Sequence, residues 1–326
     1  HGDPLMIRLV TRTDVHLSDK GPISRTDDWA AAVLDKLEQV GHIAQKVGAA
    51  AVLDNGDFFH LKSPSRNSHD LIRRVADLHA NYPCPVYANV GNHDCVYGDI
   101  RYLDSQPMGV LFSTGVFKRC YGEHEAVFEK EGLKVRVVGI PYHGTAYQME
   151  RFAEIKKGDE DYLVVMAHVL ASPQGGSMFE NEDIVKYSDL LGLDPDVFVF
   201  GHWHKDQGIV QMGGKVIVNV GSLTRGTLAQ DDLDRQPACS VLNFTKEKGI
   251  EAAIVRLRVR PTSEVFDLEK RLRQEVRTMT VEGFVEALQE SITEVKNKTL
   301  ADAVREIPGL PEVVRERTLL YLERAG

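Results

Sequence analysis

Five short blocks constrain this chain more than any other feature: Asp14-Val15-His16, Gly56-Asp57-Phe58-Phe59-His60, Gly91-Asn92-His93-Asp94, Ala167-His168 and Gly201-His202-Trp203-His204. Each stands at the end of a predicted strand or in the loop after it. A glycine and several ionisable groups directly after an apolar strand cost burial energy unless ions or hydrogen bonds satisfy them. In open α/β sheets the loops beyond the carboxyl ends of strands converge on one crevice, so groups distant in sequence meet there. Five such loops can hold more than one ion.

The surrounding pattern supplies the sheets. Ile7 to Thr11 reads as a strand and residues 28 to 47 as a helix, with Val33, Leu37, Val40, Ala44 and Val47 on one face and Gly48 as its stop. Ala50 to Asp54 is the next strand. The alternation continues through a helix near 67 to 80 and strands at Pro85 to Asn89, Lys134 to Gly139, Tyr162 to Ala167 and Val197 to Gly201. Ile209 to Met212 and Val216 to Val220 flank Gly213-Gly214, a pair suited to the positive φ angles of a tight hairpin turn. After Pro261 the texture becomes charged and helical. The expected organisation is therefore a catalytic domain over 6–260 and a helical C-terminal extension over 261–326, with apolar faces at 264–277 and 281–296.

Composition excludes several classes. At 326 residues, 43% hydrophobic and 27% charged, the chain is neither disordered nor fibrous. No run approaches the roughly 18 apolar residues of a membrane span, and no secretory pattern surrounds Met6, the expected natural start, so the chain reads as cytoplasmic with no membrane. Four cysteines without a CxxC pair fit a reducing compartment. A net charge of −9 argues against holding nucleic acid through a general basic surface.

The donor set narrows the chemistry. The i, i+2 spacing of Asp14/His16 and of His202/His204 turns each pair to one side of extended backbone. Glycines 56, 91 and 201 allow sharp turns and close backbone approach. Carboxylates, imidazoles and one amide, without a thiolate, suit Mn, Fe, Zn or Ni better than Ca or Mg.

Together, and in this order, the blocks resemble the signature of the calcineurin-like metallophosphoesterase superfamily over residues 6 to 225. The run Gly56 to His60, the run Val138 to Tyr142 and the run Asn219 to Ser222 resemble its SbcD-type DNA-repair nuclease branch, bacterial and phage. The resemblance implies an α/β fold in four layers, two mixed β-sheets sandwiched between helices. It implies two divalent metal ions, taken as Mn²⁺ with Fe, Zn and Ni as alternatives. Asp14, His16, Asp57 and His204 would match the ligands of one ion, and Asp57, Asn92, His168 and His202 those of the other, with Asp57 bridging.

In that scheme, ions roughly 3.5 to 4 Å apart polarise the phosphoryl oxygens, and a bridging hydroxide attacks phosphorus. His93 protonates the leaving oxygen, Asp94 orients it, and His60 sits near the substrate. The implied activity is a DNA phosphodiesterase, an exonuclease or endonuclease of repair or recombination. The alternative is a phosphatase or phosphodiesterase for a small molecule or phosphoprotein on the same site. A binding module without catalysis is disfavoured, because every ligand position and His93 are filled.

Arg25, Lys62, Arg66 and Arg225 lie in or near the metal-bearing loops and are candidate phosphate contacts, with Tyr142 lining the groove. The implied partners are double- or single-stranded DNA, an SbcC-type coiled-coil ATPase on the C-terminal helices, and a second copy of the chain. The dimer would form through the segment Asn67 to Ala80, whose stripe of Leu71, Ile72, Val75 and Leu78 equally suits a core helix.

Overall fold

The computed structural model describes residues 5–60, 67–95, 99–175 and 182–270, together with 304, 305, 315, 316 and 319. In chain order the first elements are β1 (Ile7–Arg12), α1 (Trp29–Val47), β2 (Ala51–Asp54), α2 (His69–Ala80), β3 (Val86–Ala88), α3 (Pro107–Ser113) and β4 (Lys118–Arg119). There follow β5 (Ala126–Lys130), β6 (Leu133–Ile140), α4 (Met149–Ala153), β7 (Tyr162–Ala167), β8 (Ala171–Ser172), β9 (Val185–Lys186) and β10 (Val197–Phe200). The last are β11 (Gly208–Met212), β12 (Lys215–Asn219), α5 (Gln230–Asp234), β13 (Ala238–Thr245), β14 (Gly249–Arg256) and α6 (Thr262–Val265).

Two six-stranded mixed sheets result, ordered β14-β13-β1-β2-β3-β4 and β11-β12-β10-β7-β6-β5. Period-2 alternation sends each strand's apolar side chains to two different cores. Leu9 and Leu53 of the first sheet meet Val164, Met166, Val197 and Val199 of the second in a core between the sheets. Val10 and Val52 face the other way, against Val33, Leu37 and Val40 of α1 and Leu71 and Val75 of α2. Val165, Phe198 and Phe200 cover the far side of the second sheet with Phe152 of α4 and Tyr187. These are the expected four layers.

Local chemistry sets the helix ends. Asp28 accepts the N–H of Ala31 at 3.0 Å, and Gly48, with φ of 61°, closes α1 in the left-handed cap that glycine favours. The Gly213-Gly214 turn between β11 and β12 has φ of 56° and 78°, as its two glycines predict. The stripe on α2 is spent inside the chain: Leu71 and Val75 are buried, and Ile72 and Leu78 pack against the same core.

The eight-residue hairpin strands β13 and β14 were not expected from the sequence. β13 lies inside its sheet, buried along most of its length, so Ser240 and Asn243 interrupt an apolar run that shows no alternation. The chain divides into two compact units, His1–Phe266 and Asp267–Gly326. The first thus runs past 260 to include α6, where Val265 accepts the N–H of Thr26. Most of the expected helical extension lies outside the described residues, as do Lys62 and Arg66. Among the described residues no helix is long and apolar enough to cross a membrane.

Two asparagines join the sheets at their carboxyl ends. Asn55, after β2, donates to the carbonyls of Ala167 and Val199, both at 3.0 Å. Asn89, after β3, donates to Ile140 O at 2.8 Å and to Asn55 Oδ1 at 3.0 Å. Both side chains are fully buried, so these bonds replace water that cannot reach the carbonyls.

Candidate active site

The five blocks meet at that joined edge. Asp14 and His16 follow β1, Asp57 follows β2 and Asn92 follows β3, whereas His168 follows β7, and His202 and His204 follow β10. The first sheet thus brings four of the expected ligands and the second brings three.

The backbone that aims them is not the extended chain expected from i, i+2 spacing. Asp14, His16, Asp57 and His202 all have left-handed φ angles, of 51°, 51°, 54° and 78°. Such conformations cost on the order of 1–3 kcal/mol each in non-glycine residues and persist where surroundings fix them. Here the N–H groups of Asp14 and His16 donate to the carbonyls of Gly56 and Asp57, both at 3.0 Å, locking one loop against the other. Gly91 is required by proximity, since a Cβ there would lie 2.0 Å from Asp57 Oδ1.

Beside a group of three imidazoles, His16, His60 and His93, lie two donor clusters that include carboxylates, one of Asp14, His16, Asp57 and His204 and one of Asp57, His168 and His202, each with ligand atoms within 4.8 Å of one another. Asp57 belongs to both. His168 Nε2 lies 3.3 Å from Asp57 Oδ2 and His204 Nε2 lies 3.5 Å from Asp14 Oδ1. Asp57 Oδ2, Asn92 Oδ1 and His168 Nε2 are buried and make no hydrogen bond. Oxygen and nitrogen lone pairs left this way fit divalent cations, and this test is met at the atoms the sequence singles out.

The polar shell supports the same use. His168 Nδ1 donates to Asn55 O at 2.6 Å, which leaves Nε2 for an ion. Thr13 Oγ1 donates to Asp14 Oδ2 at 2.6 Å. Burial alone would raise the carboxyl of Asp14, but His16 and His204 hold it well below the ordinary range. Burial would likewise lower His168, yet Asp57 and Asp14 push it up to about 10. The His168 shift records the two carboxylates beside it, and the Asp14 shift records the imidazole donors around that carboxylate.

His93 and His60 stand beside this centre. Their rings stack at 5.5 Å, and His93 lies edge-on to His16 at 4.9 Å. His93 Nδ1 donates to the backbone carbonyl of His60 at 2.9 Å, leaving Nε2 free. Burial and the neighbouring imidazoles push His60 down to about 4, so it is neutral at pH 7.

Three expectations need correction. Asp94 does not orient His93: its carboxylate accepts four backbone N–H groups, from Asp57, Phe58, Phe59 and Gly91, at 2.8 to 3.2 Å. It shapes the loops that carry Asp57 and Asn92. Arg25 is bidentate to Asp27 at 2.7 and 2.8 Å and donates to Arg225 O, with its side chain 7% exposed. Arg225 is buried and donates to the carbonyls of Leu233 and Arg260. Neither guanidinium is available to a phosphate. Tyr142 does reach the site, its ring 5.2 Å from that of His202.

Sequence reasoning missed Asn55, Asn89, Tyr147 and Glu182. No short motif marks them, because each acts through a partner distant in sequence.

The layered sheets carry a candidate centre for two metal ions along their shared edge. The chain belongs to the calcineurin-like phosphoesterase family, whose model matches residues 7–206. No curated protein matches it. Among solved structures it is similar to one described as a 5′-nucleotidase from Staphylococcus aureus, with a TM-score of 0.52 and 16% identity over 84% of this chain and 58% of that one. It is also similar to the calcineurin-like phosphoesterase YfkN from Bacillus subtilis, with a TM-score of 0.49 and 14% identity over 80% and 95% of the two chains. A dimetal phosphatase from Danio rerio aligns at a TM-score of 0.47 and 12% identity over 78% of this chain and all of that one. At these identities the likeness is one of fold, and the chain spans 58% of the length of the nucleotidase.

Proposed function

We propose that this chain is a two-metal phosphodiesterase acting on DNA, of the SbcD-like type. Asp14, His16, Asp57 and His204 hold one ion, and Asp57, Asn92, His168 and His202 hold the second, with Mn²⁺ as the first choice of metal. Bound there, such ions supply Lewis acidity to the phosphoryl oxygens and lower the pKa of water. The observation that carries the proposal is the pair of stacked imidazoles, His60 and His93, beside the shared carboxylate Asp57.

His93 is the proton donor. With Nδ1 fixed on His60 O, its Nε2 is the ring nitrogen left to pass a proton to an alkoxide leaving group, which is too basic to depart alone. His60, neutral at pH 7, contributes contacts without adding charge. The edge of the site opens to solvent at His204, whose side chain is 49% exposed, which suits a polymer better than a closed pocket would.

A second reading, hydrolysis of a small phosphoester or a phosphoprotein, is favoured by the net charge of −9 and by the internal use of Arg25 and Arg225. Distributed phosphate contacts dominate duplex affinity, so a partner such as a coiled-coil ATPase would have to supply them.

The test is incubation with Mn²⁺ and end-labelled linear duplex and single-stranded DNA, beside His93→Ala and a chelator control. Ladders or fragments abolished by both controls support the proposal. Intact DNA alongside hydrolysis of a chromogenic monoester moves the function to the second reading.

A further inference from the structure

One carboxylate at the site is announced by no motif. His202 Nε2 lies 2.9 Å from Glu182 Oε1, and the same oxygen accepts the Tyr147 hydroxyl at 2.5 Å. Tyr147 is itself fixed, since its hydroxyl oxygen accepts the N–H of Leu170 at 2.9 Å, just past His168. Asp183 closes the junction: its carboxylate takes the N–H of Tyr147, and its own N–H reaches Thr145 O, both at 2.9 Å. The Glu182 side chain is only 14% exposed, yet it joins neither donor cluster on Asp57.

Imidazoles that bind metal through one ring nitrogen characteristically donate the other N–H to a carboxylate or carbonyl, which fixes tautomer and ring orientation. His168 follows this rule with Nδ1 on Asn55 O and Nε2 towards Asp57. His202 has the reverse arrangement, with Nε2 on Glu182, so Nδ1 is the nitrogen left for an ion.

We infer that Glu182, anchored by Tyr147, is a positioning residue that holds His202 in its Nε2–H tautomer and so presents Nδ1 to the second ion of the centre. The inference rests on the two-metal reading and is independent of the substrate. It separates the ions: the one held by Asp14, His16 and His204 does not depend on Glu182, and the one that uses His202 does. Tyr142, packed on His202, also stands on this support, which links the groove wall to the metal centre.

The experiment is calorimetric titration of the apoprotein with Mn²⁺, with ions counted per chain after dialysis, for the wild type, Glu182→Gln, Glu182→Asp and Tyr147→Phe. The wild type should bind two ions. Glu182→Gln should keep the first at unchanged affinity and weaken the second about 10- to 100-fold, with partial recovery in Glu182→Asp. Nitrogen-15 spectra of the wild-type imidazoles, with and without Zn²⁺, should show the His202 proton on Nε2, a readout that needs no variant to fold. A wild type that binds no ions overturns the two-metal reading itself. Two ions bound equally by wild type and Glu182→Gln, or a proton on Nδ1 of His202, overturns the role of Glu182 alone.

Discussion

The backbone N–H of His93 donates to Asp57 Oδ1 at 2.8 Å, which ties the proposed proton donor to the carboxylate that both donor clusters share. This bond belongs to the main chain and survives loss of the imidazole. His93→Ala should therefore keep the wild-type ion count while turnover falls about 10²- to 10⁴-fold, the usual contribution of a general acid. Metal analysis and initial rates on the same preparation check it, and a fall in ion count would contradict it.

Asp94 should behave as a structural residue. Asp94→Asn replaces one acceptor oxygen by a donor facing N–H groups, in a site 2% exposed. Leaving buried donors unsatisfied costs about 1–3 kcal/mol. Urea denaturation should show this loss, and metal affinity should fall with it because the Asp57 loop is released.

The asparagine clasp makes a separate claim about the edge itself. Asn89→Ala removes one of two hydrogen bonds to the carbonyl of Ile140, which still accepts the N–H of His168, and leaves the amide oxygen of Asn55 without its donor in a dry interior. The unfolding free energy should drop by about 1–3 kcal/mol, with the urea midpoint lowered and the slope unchanged.

A pH effect is expected far from the metal centre. His79, in the last turn of α2, is buried, donates from Nδ1 to Val75 O at 2.7 Å and takes Arg12 Nη2 at 3.0 Å on Nε2. Burial and the Arg12 charge hold its pKa well below 6.5. The unfolded chain thus binds a proton below pH 6.5 that the folded chain refuses, so this histidine's contribution is complete above that pH and is lost as the pH falls. Denaturation between pH 5 and 7 with chelator present should show His79→Gln losing up to about 1.4 kcal/mol per pH unit of the wild-type slope.

Much of this was legible in the sequence because strand ends carry their chemistry locally. The five blocks, the caps at Asp28 and Gly48 and the Gly213-Gly214 turn are contiguous signals. What escaped was set by tertiary contact. Arg25 and Arg225 sit next to metal-bearing loops in sequence, but their guanidinium groups are consumed by Asp27 and by main-chain carbonyls. The pairing of Asp14 with His16 was expected from strand alternation and arises instead from left-handed backbone. Glu182 meets His202 only after the second sheet is assembled.

The division of donors between the sheets has a thermodynamic consequence. Asp57 reaches one ion's remaining ligands within its own sheet except for His204, and the other ion's largely across the seam, so neither coordination sphere exists in an isolated half of the molecule. Ions seated there would act as rivets between two halves that are joined by apolar packing and by hydrogen bonds such as those of Asn55, Asn89 and Tyr162. Each would add about 2.7 kcal/mol against separation at a free concentration one hundred times its dissociation constant. Chelation should therefore loosen the seam first, and heat should release both ions in the same cooperative step that parts the sheets.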